Sequence, residues 1–339
     1  MCEPPPSPGI LTELQRGPPI MLNTVEKLSI ASLRSLRLFG VFLLVLLGWG
    51  TWSWSQEAAV ATPAQAAETP PASGEEATGS EYIRIRRDSD DNPTAMETAV
   101  VRFATEDGRH TVDLVAAVHV ADKPYYDELN RRFQEYDAVL YELVAPAGTR
   151  VPRGGAPRTS GVSLLQGGMT DVLNLSFQLD CVDYQQPNMV HADLSPEEFS
   201  ASMKARGESG VKLFFRMMGH SMAQQSNSKA KNSDAAVLAA LFSKDRDHRL
   251  KQIMAEQFED MEGALNAING PDGSTLVTVR NAKALSVMKK EMDQGKKKLA
   301  IFYGAAHLPD MEQHLVKDFS MQQKNQTWLQ AWDLSESAK

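Results

Sequence analysis

Cysteine is nearly missing: Cys2 and Cys181 are the only two in 339 residues, too few for a disulfide framework or a zinc ribbon. With the front end removed, Cys181 stands alone and reads as a small buried apolar residue. Several short signatures are missing as well. There is no His-Glu-x-x-His, Gly-x-Ser-x-Gly, Gly-x-Gly-x-x-Gly or Cys-x-x-Cys, so zincin, serine-hydrolase, dinucleotide and thioredoxin readings find no support. Cations are in deficit, 35 Lys and Arg against 43 Asp and Glu, for a net charge of -8. Residues 1–66 hold four of each sign, so the acidic excess belongs to the rest of the chain. Such a surface repels polyanions, and nucleic acid is not an expected partner. Apolar residues at 42% and charged residues at 23% are those of a soluble globular protein, which excludes collagen, coiled coil and disorder throughout.

What is present begins with an address. Residues 38–54 (LFGVFLLVLLGWGTWSW) carry no charge and follow Lys27, Arg34 and Arg37. At about 1.5 Å per residue the run covers roughly 26 Å, marginal for a spanning helix and long for the core of a signal peptide. Two outcomes are open. Ala64-Gln65-Ala66 offers small residues for leader-peptidase cleavage before Ala67, and without cleavage the run is a signal anchor to the membrane. In both cases the basic residues ahead of the run direct the bulk of the chain out of the cytoplasm, to the periplasm or the extracytoplasmic face of the membrane. Residues 67–80, rich in Pro, Ala, Ser and Glu, form a linker, and 81–335 is the folded domain.

Strand patterns occur at 82–88, 98–105 and 110–120, separated by Asp-Asn-Pro and Glu-Asp-Gly turns, which predicts an antiparallel meander. Residues 123–136 then read as an amphipathic helix with Tyr126, Leu129 and Phe133 on one stripe, followed by an apolar strand at 138–144. Strand, helix and strand within about 35 residues make a βαβ unit with a parallel pair. Residues 145–162 read as a loop. Helices follow at 209–223, 235–243, 246–268 and 275–293, and Ser195-Pro196-Glu197-Glu198 is a helix start with a capping box. The last strong strand is 298–304, leading into His307 and another short helix. The expected fold is α/β, with a mixed central sheet, a largely helical insert in mid-chain, and a central strand that arrives late in the sequence.

Two distant segments share one pattern: Ala116-Ala117-Val118-His119-Val120-Ala121-Asp122 and Gly304-Ala305-Ala306-His307-Leu308-Pro309-Asp310. Each histidine ends an apolar run beside small residues that leave room for a ligand near the backbone, at strand ends where open α/β sheets bind ligands. Glu142 lies inside the apolar run AVLYELV, where a carboxylate is costly unless paired or metal-bound. A single histidine at a strand end is more often a satisfied core or turn residue. Repetition together with the intrastrand glutamate makes His119, Glu142 and His307 a candidate site for a divalent metal. His191 and Asp193 end another extended run and are further candidates. Asp122 and Asp310 follow the paired histidines at spacing three and either orient an imidazole or cap the next helix.

These motifs resemble the TraB/PrgY/GumN family, related to the Tiki metalloproteases and more distantly to the erythromycin-esterase and ChaN-like fold. The resemblance covers about residues 96–318. It places one Gly-x-x-His on Ala116–His119, with alanine for glycine, the acidic position on Glu142, and the second Gly-x-x-His on Gly304–His307. The family's Arg-Asn helix is matched by Val279-Arg280-Asn281, with valine where the family has glutamate. The resemblance implies His119, Glu142 and His307 as metal or catalytic residues and Arg280 as a clamp on the substrate or transition state.

The expected activity is therefore that of an exported or membrane-tethered, metal-dependent hydrolase acting on peptides, with manganese, cobalt or zinc as the ion. Its water is acidified by the metal, with Glu142 as ligand or base and Arg280 stabilising an oxyanion. A protein that sequesters a peptide or small ligand without turnover is the alternative, and a haem or metal carrier a third.

Overall fold

β-Branched residues, alternating with arginine in β1, open the folded region as β1 (Ile83–Arg87), β2 (Pro93–Ala104) and β3 (Thr111–Ala117). This is a computed structural model, and it describes residues 81–146, 148–154, 175–209, 239–240, 243, 245–259, 269 and 273–335. The β1–β2 turn is held by Asp88, whose carboxylate accepts from the backbone N–H of Asp90 and Asn92. At the β2–β3 turn Gly108 takes φ +66 with open space around it, the left-handed conformation that costs glycine least. β2 pairs antiparallel with both β1 and β3, which makes the expected meander.

β4 (Val120–Ala121) leads into α1 (Lys123–Phe133), which has proline in its first turn and buries Tyr125, Tyr126, Leu129 and Phe133. After it come β5 (Ala138–Tyr141), β6 (Ser176–Phe177), α2 (Gln178–Cys181) and β7 (Met189–His191). α3 (Pro196–Ala205) starts at Ser195 with the predicted capping box: Ser195 accepts from Glu198 N–H, and the Glu198 carboxylate accepts from Ser195 N–H. α4 (Arg246–Glu259) belongs to the helical insert. A π-helical turn at Thr275–Val279 runs straight into α5 (Arg280–Asp293). Then follow β8 (Lys298–Gly304), a 3-10 turn at Ala305–His307, α6 (Leu308–Lys317) and β9 (Gln322–Asp333).

The result is α/β, with a seven-stranded mixed sheet ordered β1-β2-β3-β8-β5-β7 and β9 paired to β2. β3, β8, β5 and β7 run parallel. The βαβ unit is looser than expected, because β3 and β5 are not neighbours: β8 lies between them and pairs with both. β8 is the late-arriving central strand, and its residues are apolar on both faces, which suits a strand covered on both sides. Ala300 and Phe302 join α1 residues Leu129 and Phe133 in one core layer. Leu299, Ile301 and Tyr303 join Leu285 and Met288 of α5 and Leu308 and Met311 of α6 in the other.

β9 was not expected. Its first half, Gln-Gln-Lys-Asn, is polar and exposed, and it owes its conformation to pairing along β2 from Ala95 to Ala104. Among the described residues no helix is long and apolar enough to cross a membrane. The apolar run 38–54, the linker 67–80 and the helices expected over 209–223 and most of 235–243 lie outside the described residues, as do parts of the 145–162 loop and of the 246–268 helix.

Candidate functional site

The parallel strands end together. Register pairs Ala117 with Gly304, and Tyr141 with Phe302 and His191, so the residues just past these positions share the carboxyl edge of the sheet. Glu142 follows β5, Asp193 follows β7, His307 follows β8, and His119 follows β3 by two residues. Across this edge the π-helical turn delivers Arg280 and Asn281 as the first residues of α5. Ser274 caps that turn by accepting from Val277 N–H. A π-turn offsets the helix by one residue, and such turns are frequent at functional sites.

Arg280 is the centre of the cluster and is only 1% exposed. Its Nε donates to Asp193 Oδ1 at 2.9 Å and its Nη2 to Asp193 Oδ2 at 2.5 Å. Nη2 also donates to Glu142 Oε1 at 2.7 Å. The second carboxylate on the guanidinium comes from Asp193. The expected substrate clamp is thus a buried, doubly paired cation whose direct targets are two carboxylates of its own chain. Burial disfavours both charges, but each sustains the other: Arg280 stays protonated, and Arg280, His307 and His119 together hold the Glu142 carboxyl well below the usual carboxylate range.

The other oxygen of Glu142 accepts from Gly304 N–H at 2.7 Å. A Cβ at Gly304 would stand 3.3 Å from that oxygen and 3.7 Å from His307 Cδ2, so the leading glycine of Gly-x-x-His lets the carboxylate reach the backbone. His307 is 7% exposed. Its Nε2 lies 3.4 Å from Arg280 Nη1 and 3.7 Å from Glu142 Oε1, and its Nδ1 lies 2.7 Å from Asn281 Oδ1. Burial, and after it the Arg280 charge, push the imidazole pKa down to about 4 against the pull of Glu142. His119 is half-buried, and desolvation lowers its pKa while the Glu142 charge raises it. Its Nδ1 meets Gln178 Oε1 at 3.1 Å, and Gln178 Nε2 donates to Tyr184 Oη at 2.8 Å. Both imidazoles are therefore held through Nδ1 by a buried amide, the outer contact that fixes ring orientation at histidine metal sites.

Remaining candidates divide. Asp193 joins the cluster through Arg280. Asp310 joins it through Asn281, accepting from Nδ2 at 2.7 Å; it sits in the first turn of α6, whose cap position is His307. Asp122 stands at the N-cap of α1 without capping it by its side chain, and instead accepts from Lys251 Nζ at 2.7 Å and from Asp333 N–H at 2.6 Å. His191 donates from Nε2 to Leu143 O at 2.6 Å and stacks near Tyr141 at 5.7 Å, outside the Arg280 contacts. Asn281 and Gln178 had no prominence in the sequence beyond Asn281's place after Arg280, because neutral amides in apolar stretches carry no pattern of their own.

Among the described residues no set of three or more His, Cys, Asp and Glu side chains forms a ready metal cage. The chemistry of the donors nevertheless fits a divalent ion. Two imidazoles held at Nδ1 and one ionised carboxylate are the ligand types that zinc and its neighbours take; His307 Nε2 lies 3.7 Å from Glu142 Oε1, and both atoms also meet Arg280, at 3.4 and 2.7 Å. His119 would supply the third donor. Comparison of the chain with models of known protein families, with curated proteins and with solved structures gives no match in any of the three.

Proposed function

We propose that this chain is an exported or membrane-tethered hydrolase of peptide-like bonds, dependent on a divalent metal and of the TraB/PrgY/GumN kind that its motifs resemble. Manganese, cobalt or zinc is the ion, and a peptide or small molecule is the substrate. The observation that carries the reading is the tuning of the three side chains at the carboxyl edge of the sheet. Burial and neighbouring charge have made them weak bases: the Glu142 carboxyl is held ionised and the His307 imidazole neutral. A general base works best with a pKa near the working pH, and neither group is placed there. Both suit a lone-pair donor, which must be deprotonated before metal binds.

His119, His307 and Glu142 would hold the ion, and Arg280 fixes the carboxylate that they share. Bound there, a divalent ion supplies Lewis acidity toward a carbonyl oxygen and toward water. Arg280 is engaged by Glu142, Asp193 and His307, so contact with the substrate falls to groups on the open side of the edge. Tyr141 borders Glu142 in sequence and packs edge-on to Tyr184 at 5.0 Å, and both rings are buried in the core beneath the edge. The apolar run 38–54 behind three basic residues supports export, with the domain on the far side of the membrane whether or not the run is removed.

The test uses the full chain, stripped of metal and presented with a fluorogenic peptide library. Cleavage is expected on adding manganese, cobalt or zinc and is expected to vanish with chelator and in Glu142→Gln. Cleavage that survives chelation, or saturable peptide binding with no cleavage under any of the three ions, would overturn the proposal.

A further inference from the structure

Asn281 is fully buried at the second position of α5, and its hydrogen bonds permit one arrangement only. Its amide Nδ2 lies 3.0 Å from the backbone oxygen of His307 and 2.7 Å from Asp310 Oδ2. A backbone carbonyl only accepts, so the atom facing it must be the nitrogen, and the amide has no freedom to flip. Its Oδ1 is thereby left facing His307 Nδ1 at 2.7 Å. Oxygen of an amide cannot donate, so the hydrogen of this contact sits on Nδ1. A neutral imidazole carries one ring hydrogen, and Nε2 is then a bare lone pair.

Left alone, the ring has reason to choose otherwise. Glu142 Oε1 lies 3.7 Å from Nε2, and a carboxylate draws a hydrogen toward itself more strongly than a neutral amide does. The tautomer that Glu142 favours would block Nε2 with a hydrogen. Arg280 Nη1 at 3.4 Å works in the same direction as Asn281, since a guanidinium can only donate to Nε2. We propose that Asn281, oriented by Asp310, is a positioning residue that fixes His307 as the Nδ1–H tautomer and so keeps Nε2 free of hydrogen, with a lone pair that meets Arg280 Nη1 here and that a divalent cation would take. The inference rests on the lone-pair role proposed for His307. His119 has a similar amide contact from Gln178, but there the partner beyond is a tyrosine hydroxyl, which donates or accepts and so leaves the amide orientation unfixed.

Long-range proton–nitrogen correlation spectra of the metal-free full chain, labelled with 15N-histidine, read the hydrogen position directly. His307 is assigned by difference from His307→Gln. In the wild type the bare-nitrogen signal is expected at Nε2. Asn281→Leu, close in size but without an acceptor, is expected to shift His307 toward the Nε2–H form and to weaken zinc affinity by about 10–100-fold, the usual effect of losing such an outer contact. Asp310→Asn keeps an acceptor for Asn281 Nδ2 and is expected to retain the wild-type tautomer. An Nε2–H signal in the wild type, an unchanged tautomer in Asn281→Leu, or a changed tautomer with unchanged zinc affinity would each overturn the inference. Should Asn281→Leu fail to fold, the wild-type and Asp310→Asn spectra decide it. Because the spectra are taken without metal or substrate, their outcome is separate from that of the peptide-cleavage test.

Discussion

A guanidinium taken out of water costs several kcal/mol unless carboxylates meet it, and Arg280 is met by two, one of which, Asp193, is itself 2% exposed. Removing the arginine strands both. Arg280→Met is expected to destabilise the domain by about 3–5 kcal/mol, the usual cost of breaking a buried ion pair from one side, with the urea midpoint as the measurement. Adding Asp193→Leu to that variant removes one stranded charge and is expected to recover part of the loss; a double variant as unstable as the sum of the two single ones would refute the pairing. Legibility at this scale followed charge. His119, Glu142, His307 and Arg280 stood out because an ionisable group in or beside an apolar run demands a partner, and they lie along one edge. The partners themselves were harder to read. Sequence distance conceals that Arg280 faces Asp193 across 87 residues, and this is why an outward clamp was expected where an internal pair is found.

Elements announced themselves where burial on a known face shaped the sequence. β8 has the predicted bounds because a run covered on both sides is apolar throughout, and α3 starts where its capping box begins. Adjacency was less legible: the helix between β3 and β5 fixed their parallel sense but not the gap that β8 fills. β9 is the opposite case, a strand whose polar first half has no alternation to detect and whose second half packs through Leu329, Ala331 and Trp332. Trp332 is fully buried and donates from its indole nitrogen to Val120 O at 2.7 Å, tying the last strand to the segment just after His119. Trp332→Phe is expected to cost about 1 kcal/mol for the lost hydrogen bond beyond the loss of ring area, and Trp332→Ala about 3–5 kcal/mol. Thermal denaturation of the two variants checks the order. Equal and negligible shifts would mean that β9 contributes little to the fold.

Proton linkage joins the site to the stability of the whole molecule. His307 titrates near 6.5 when unfolded and is pushed down to about 4 in the fold by burial and Arg280. Between those values the unfolded chain binds the proton and the folded one does not, so stability rises with pH. The contribution is fully present above about 6.5 and is lost as pH falls toward 4, and its size is on the order of 3 kcal/mol at most. His119 adds in the same direction, since its pKa is also lowered. Glu142 enters further down: its folded pKa is depressed, so its contribution is present above the unfolded value of about 4.3 and is lost as pH drops below it. The full chain should therefore weaken twice on acidification, first with its imidazoles and then with its carboxylate. Urea unfolding of metal-free protein at intervals from pH 8 to pH 4.5 isolates the first phase. His307→Gln cannot take up the proton, and its stability is expected to fall less steeply over that interval. Parallel curves for wild type and His307→Gln would mean that His307 is protonated as readily in the fold as outside it, which burial of the ring and the Arg280 charge oppose.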